Sequence, residues 1–204
     1  YQSSLDALFS PMESGEVLGV VGEGVCDDAG CDPHVWTDPA NVVLWTYAIR
    51  AALSERDPAN AALYAANADA YLDDLIALDS DIRSLFAPIP VEQRIMVTNH
   101  LTFGYFAARY GLTVVGVILP GGGTGSEPSA QDVIGLIDTI KESGARAIFT
   151  ETTVSDSLAQ QIAAETGAQI VRLYTGSLSE VDGPAATYEA YMRFNAGQIA
   201  AALQ

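Results

Sequence analysis

Lysine is nearly missing from this chain. Lys141 is the only one, beside eight arginines and against 26 Asp and Glu, for a net charge of −17. So acidic a surface repels phosphate backbones and argues against a nucleic-acid partner. It attracts cations weakly and everywhere, which is not a site. The plain reading is a solubility or salt-adaptation feature. Long apolar runs are missing as well: none reaches the roughly 18 residues needed to cross a bilayer, so the chain is not read as membrane-spanning. Apolar residues still make up 49% of the 204 residues, enough for a core and too many for disorder. Cysteine is limited to Cys26 and Cys31, in Cys-Asp-Asp-Ala-Gly-Cys. A short spacer containing glycine can close a small disulfide loop, whereas two thiols are too few for a structural zinc site. A disulfide is the expectation, with a free thiol pair or metal ligation as alternatives; it would imply an oxidising compartment. The opening residues, Tyr1-Gln-Ser-Ser-Leu5, show no initiator Met, charged leader or apolar h-region, so the chain is expected to be processed or truncated.

What is present has a clear order. Residues 4–10 read as the end of a short helix, and 16–25 as a strand leading into the cysteine loop. Asp38-Pro39 reads as a helix N-cap followed by proline at the first helical position. Glycine is absent from Asp38 to Phe86, and apolar residues recur there at helical spacing. Asp57-Pro58 interrupts this run and predicts a new N-cap and first turn, hence two helices or one kinked helix. After Pro88-Ile-Pro90 the pattern changes. Strands are predicted at 94–98, 112–119, 145–150 and 168–174, and helices at 103–110, 129–143, 155–166 and 187–203. This alternation predicts an α/β fold with a parallel sheet covered by helices on both faces. In such sheets a ligand sits beyond the carboxyl ends of the strands.

The chain has two histidines, and both fall where a site is expected. His100 follows the strand 94–98 directly. His34 lies in Asp32-Pro-His-Val-Trp-Thr-Asp-Pro39, just ahead of the long helical run. Read from spacing alone, each can be a metal ligand, a core or capping residue, or a catalytic base. Catalytic motifs are absent: there is no Gly-x-Ser-x-Gly elbow and no His-Glu-x-x-His. Gly121-Gly-Gly-Thr-Gly-Ser126 lacks the Gly-Lys-Ser/Thr of a phosphate loop and reads as a plain loop before a helix. Most Asp and Glu are spread over helix faces and read as solvated.

Two segments are more specific. Asp32-Pro-His-Val-Trp-Thr-Asp-Pro39 and Thr98-Asn-His-Leu-Thr-Phe-Gly-Tyr-Phe106 resemble signature segments of the zinc/manganese solute-binding proteins of ABC importers. Glu127-Pro-Ser129, Ala147-Ile-Phe-Thr-Glu151, Glu165-Thr-Gly167 and Thr187-Tyr188 through Asn195 fit the same family in the same order. The resemblance implies two α/β lobes joined by a long rigid helix, with metal held in the cleft between lobes. On this chain it implies a remnant of the first lobe over 1–37, linking helices over 38–90 and the carboxy-terminal lobe over 91–204. It makes His34 and His100 metal ligands, with a further histidine expected upstream of this chain. Glu151, at a strand end, is expected to hydrogen-bond a ligand histidine from behind, or else to cap the next helix. Relatives often place an Asp in a Thr-Asp-Ser motif near the end. Here the residues are Thr175-Gly-Ser177, so Gly176 donates nothing; water, Glu180 or Asp182 are the substitutes to consider.

Neutral imidazole suits Zn2+, whereas Mn2+ prefers more carboxylate, so zinc is the expected cargo and Mn2+ or Fe2+ the alternative. The resemblance implies no catalysis, an extracytoplasmic location with or without a lipid anchor, an ABC permease as partner, and a monomer. Two other readings compete: an adhesin-like surface protein on the same scaffold, and a metallohydrolase. The hydrolase would need a general base and an oxyanion donor beside the histidines, for which the sequence offers no motif.

Overall fold

The computed structural model describes residues 26–27, 30–119, 128–151 and 156–204, with the side chains of 26–27 and 30–31 outside the description. The helix end expected at 4–10, the strand expected at 16–25 and the glycine-rich loop at 121–126 lie outside the described residues. The chain divides into two compact units, Tyr1–Asp81 and Ile82–Gln204.

In the first unit, β1 (Cys26–Asp27) pairs antiparallel with β2 (Gly30–Cys31), and Cys26 and Cys31 are register partners. The disulfide expected between them concerns side chains outside the description. A 3-10 turn at Val35–Thr37 leads into α1 (Pro39–Arg56). Asp38 is extended, and its carboxylate accepts a 2.8 Å hydrogen bond from the Ala40 N–H. A cap of this kind contributes about 1 kcal/mol, and Pro39 has no N–H to leave unsatisfied. After a 3-10 turn at Pro58–Asn60, α2 runs from Ala61 to Phe86, its residues from Ile82 onward belonging to the second unit. Its buried residues Ala68, Leu72, Leu75, Leu78, Ile82 and Phe86 repeat at helical spacing and form one stripe.

Asp57 stands at the expected N-cap, with Pro58 opening the turn between two helices. Its Oδ2 accepts from the Asn60 side-chain amide and from the Tyr64 hydroxyl, both at 2.8 Å. Pro58 removes one backbone donor at the helix start, and two side-chain donors within one turn take up the carboxylate. These bonds hold the Asp57 carboxyl below its usual range, with Asn60 the larger cause and Tyr64 the next.

The second unit is the α/β domain. Its elements are β3 (Ile95–Thr98), α3 (Gly104–Tyr110), β4 (Thr113–Val117), α4 (Ala130–Ser143), β5 (Ala147–Glu151), α5 (Ser157–Thr166), β6 (Gln169–Leu173) and α6 (Tyr188–Leu203). All four strands are parallel, in the order β4-β3-β5-β6. Every residue of β5 is buried, as befits an interior strand covered on both faces. Val97 and Ile148 pack with Leu136 and Ile140 of α4 and Ala159 and Ile162 of α5. Strand alternation sends Met96 and Phe149 to the opposite face, and α6 packs on β5 and β6. Gly116 of β4 is closely approached by α4: a Cβ there would lie 2.4 Å from Leu136 Cδ1, so that side chain would have to shift. The helix stop expected at Gly144 is a left-handed residue, φ 68°.

The strand order has one consequence for chemistry. From β3 the chain goes to β4 on one side, then returns to β5 on the other side of β3. The connections therefore diverge between β3 and β5. A crevice opens outside the carboxyl ends of two such strands.

Candidate metal centre

His100 stands at that crevice. It follows Thr98 and Asn99 off the carboxyl end of β3, where the Asn99 N–H donates to the Phe149 carbonyl of β5 at 3.0 Å. Glu151 is the last residue of β5, the adjacent strand. The fold thus brings an imidazole and a carboxylate to neighbouring strand ends. Their side chains meet: His100 Nδ1 pairs with Glu151 Oε1. The other oxygen, Oε2, accepts a 2.6 Å hydrogen bond from the Thr175 hydroxyl, just past the end of β6.

Both partners are buried, His100 with 9% and Glu151 with 6% of their surface exposed. A carboxylate taken out of water is costly unless paired and hydrogen-bonded. Glu151 has both an imidazole and a hydroxyl, so the sheet can hold it there. The pairing at Nδ1 selects the tautomer with its proton on that nitrogen and leaves the lone pair on Nε2. That is the state in which a histidine binds a metal with a carboxylate behind it. The Thr102 hydroxyl lies 2.8 Å from Nε2, so a neutral polar group faces the nitrogen that a metal would use.

The segment carrying Thr175 is itself fixed from α6. Asn195 is 1% exposed. Its Oδ1 accepts from the Tyr174 N–H at 3.0 Å and its Nδ2 donates to the Tyr174 carbonyl at 2.7 Å. The Tyr191 hydroxyl donates to the Thr175 carbonyl at 3.3 Å. Gly176 comes next, and a Cβ added to it would meet nothing within 4 Å. Glu180 and Asp182, weighed above as substitutes, lie on an exposed turn closed by the Gly183 N–H donating to the Glu180 carbonyl.

His34 belongs to the first unit and is held by a different route to the same end. Asp32 Oδ1 accepts from the His34 N–H at 2.9 Å and pairs with His34 Nδ1 at 2.7 Å. The carbonyl of His34 accepts from the Thr37 N–H and hydroxyl, at 3.1 and 2.9 Å, which closes the 3-10 turn. The Asn41 side chain donates to the Val35 carbonyl at 2.9 Å and ties that turn to α1. Trp36 stands edge-on to the imidazole, with ring centroids 5.4 Å apart. Here too Nδ1 is occupied by a carboxylate and Nε2 is the remaining nitrogen.

Sequence reasoning named His34, His100 and Glu151. It missed Asp32 as the partner of His34, although the residue stands two positions away in the segment quoted. It also missed Thr102, Thr175 and Asn195 as orienting groups. Among the described residues, no group of three or more His, Cys, Asp and Glu side chains is gathered in a way that could hold a metal ion.

Comparison with known proteins places these features in a family. Residues 7–202 match the family model of ZnuA, the periplasmic component A of a zinc-uptake complex. The iron-binding protein YfeA of Yersinia pestis is 39% identical over 83% of this chain and 54% of its own length. The manganese-binding lipoprotein MntA of Halalkalibacterium halodurans is 35% identical over 81% of this chain and 55% of its own. The periplasmic zinc-binding protein TroA of Treponema pallidum superposes with a TM-score of 0.81 at 28% identity, covering 92% of this chain and 69% of that one. The chain spans about half the length of the curated relatives it matches. With the match extending over nearly all of its residues, the chain belongs to the family of periplasmic zinc-uptake component A.

Proposed function

We propose that the protein captures a divalent transition metal outside the cytoplasm and presents it to the permease of an ABC importer, without catalysing any reaction. The observation that carries this reading is the His100–Glu151 pair at the carboxyl ends of β3 and β5. His34 and Asp32 repeat the same chemistry. In each pair the carboxylate engages Nδ1, so Nε2 is the nitrogen offered to the metal. We assign His34 and His100 as ligands of the carried ion and Glu151 and Asp32 as the groups that orient them.

Zinc is the proposed cargo, with manganese and iron next. The relatives are variously named for iron, manganese and zinc, so the metal has to be argued from the donors present. Two imidazoles and no acidic side chain at Gly176 make a nitrogen-rich set, which suits zinc better than manganese. The relatives' names, periplasmic protein and lipoprotein, support an extracytoplasmic location. Among the described residues no helix is long and apolar enough to cross a membrane. We read the protein as a monomer that meets its permease from outside the membrane.

The test is a competitive zinc titration of the full-length protein and its His34→Ala and His100→Ala variants. Each substitution is expected to weaken zinc binding beyond the roughly 10–100-fold that an orienting partner is worth. Affinities equal to that of the parent protein in both variants would defeat the assignment.

A further inference from the structure

Basic residues are scarce in this chain, yet three of the nine gather in one place. Arg83, Arg94 and Arg109 line a cleft of about 390 Å³, together with Phe86, Tyr110 and Gly111. All of them lie in the unit Ile82–Gln204. The cleft takes no part in the metal chemistry described above.

Arg94 is the informative member. It is half-buried, and two backbone carbonyls hold it in place. Its Nε donates to Ile89 O at 3.0 Å and its Nη1 to Tyr110 O at 3.3 Å. Among the described residues it makes no ion pair. A half-buried guanidinium without a carboxylate is unexpected where acids outnumber bases 26 to 9. Gly111, at φ 68°, keeps the backbone close beside it: a Cβ there would lie 3.3 Å from Arg94 Nη1. Arg83 sits on the same wall, with its Cζ 5.8 Å from the centre of the Tyr110 ring. Arg109 is 7% exposed.

The structural alternative is that Arg94 only clamps the ends of α2 and α3. That accounts for two of its donors. A helix end offers about half a negative charge, which leaves much of even one guanidinium uncompensated. Each guanidinium also carries five donors in a planar fork matched to oxyanions, so one with existing partners can still bind another group. Arg83 and Arg109 have further interactions of their own, and Arg94 therefore carries the argument.

We propose that this cleft is a binding site for a small free oxyanion of the phosphate class, held by Arg94 with Arg83 and Arg109. A net charge of −17 opposes every anion at long range and an extended anionic membrane surface most, so a small anion that reaches the local arginine cluster is the occupant least opposed.

The experiment is a titration of the full chain, metal-free, with inorganic phosphate at constant ionic strength, read from the arginine Nε–H resonances by NMR. A saturable shift of the Arg94 resonance is expected, with a dissociation constant on the order of 1 mM. Arg83→Gln is expected to weaken it about tenfold, and Arg94→Gln to abolish the phosphate-dependent shift of the remaining cleft arginine resonances; because Arg83 is exposed, the first variant tests the site even if the second does not fold. Zinc affinity in Arg83→Gln should equal that of the parent protein, so failure here and failure of the transport reading are distinguishable. No saturable shift, or the same shift in Arg83→Gln, would mean an adventitious ion only and overturn the proposal. Co-sedimentation with phosphatidylglycerol vesicles that Arg83→Gln removes would assign the cleft to lipid headgroups and overturn the free-anion reading.

Discussion

The two units of this protein orient a histidine in opposite ways. In the first, the carboxylate that holds His34 is Asp32, two residues away on the same turn. In the second, the carboxylate that holds His100 comes from the end of a neighbouring strand, and a third strand end supplies Thr175 to hold that carboxylate. One arrangement is local and survives as long as a turn survives. The other exists only when three parallel strands are in register. The difference teaches that the same carboxylate–imidazole pairing can rest on very different amounts of folded structure.

Four measurements break or sharpen this contrast. Glu151→Gln has the largest expected effect. An amide in place of the carboxylate disturbs both the His100 Nδ1 contact and the Thr175 hydrogen bond in a buried site, so zinc affinity should fall by about 10–100-fold. Asp32→Asn should fall at the lower end of that range, because its pair is more exposed than the His100–Glu151 pair. A competitive zinc titration ranks the two. Equal losses would mean that the fold-dependent site gains nothing from its burial.

Thr175→Val comes next. It removes one hydrogen bond to a buried carboxylate at nearly constant volume, with an expected loss of about 1.5–3 kcal/mol in chemical denaturation. Zinc affinity should fall less than in Glu151→Gln, because the His100 contact remains. Gly176→Asp tests the metal assignment from the other side. The position has open space, so the fold should accept the side chain, and the manganese-to-zinc affinity ratio should rise. A ratio that does not move would separate Gly176 from the site.

The smallest effect concerns the junction of α1 and α2. Asn60 and Tyr64 lower the Asp57 carboxyl from its usual value of 3.8 in the folded state. A depressed folded value means that its stabilisation is present above 3.8 and is lost as pH falls through the lowered folded value. Acid unfolding followed by circular dichroism should therefore show a slight advantage of the parent protein over Asp57→Asn above pH 3.8, vanishing below the folded value. The group lies at the surface and is only partly buried, so the difference is expected to be slight.

Much of this was legible in the sequence, and the part that was not has a physical cause. Periodicity and glycine stops placed every strand of the sheet within a few residues, because Gly111, Gly144 and Gly167 end helices with positive φ. The segment Asp32-Pro-His34 and the strand-end position of His100 marked both histidines. Asp57-Pro58 marked the break between α1 and α2, but a local rule for caps does not reveal that the carboxylate takes the Asn60 and Tyr64 side chains. Thr175 and Asn195 were missed for a different reason. Their roles depend on contacts across 24 and 21 residues of chain, and nothing in a hydroxyl or an amide announces such a partner.

The most direct test uses the scarcity of histidine. With only His34 and His100 in the chain, long-range proton–nitrogen NMR of the imidazoles gives just two spin systems. The account predicts that both rings carry their proton on Nδ1 and that zinc shifts both Nε2 resonances. A zinc-loaded spectrum with either ring bound through Nδ1, or with either Nε2 unmoved, would contradict it.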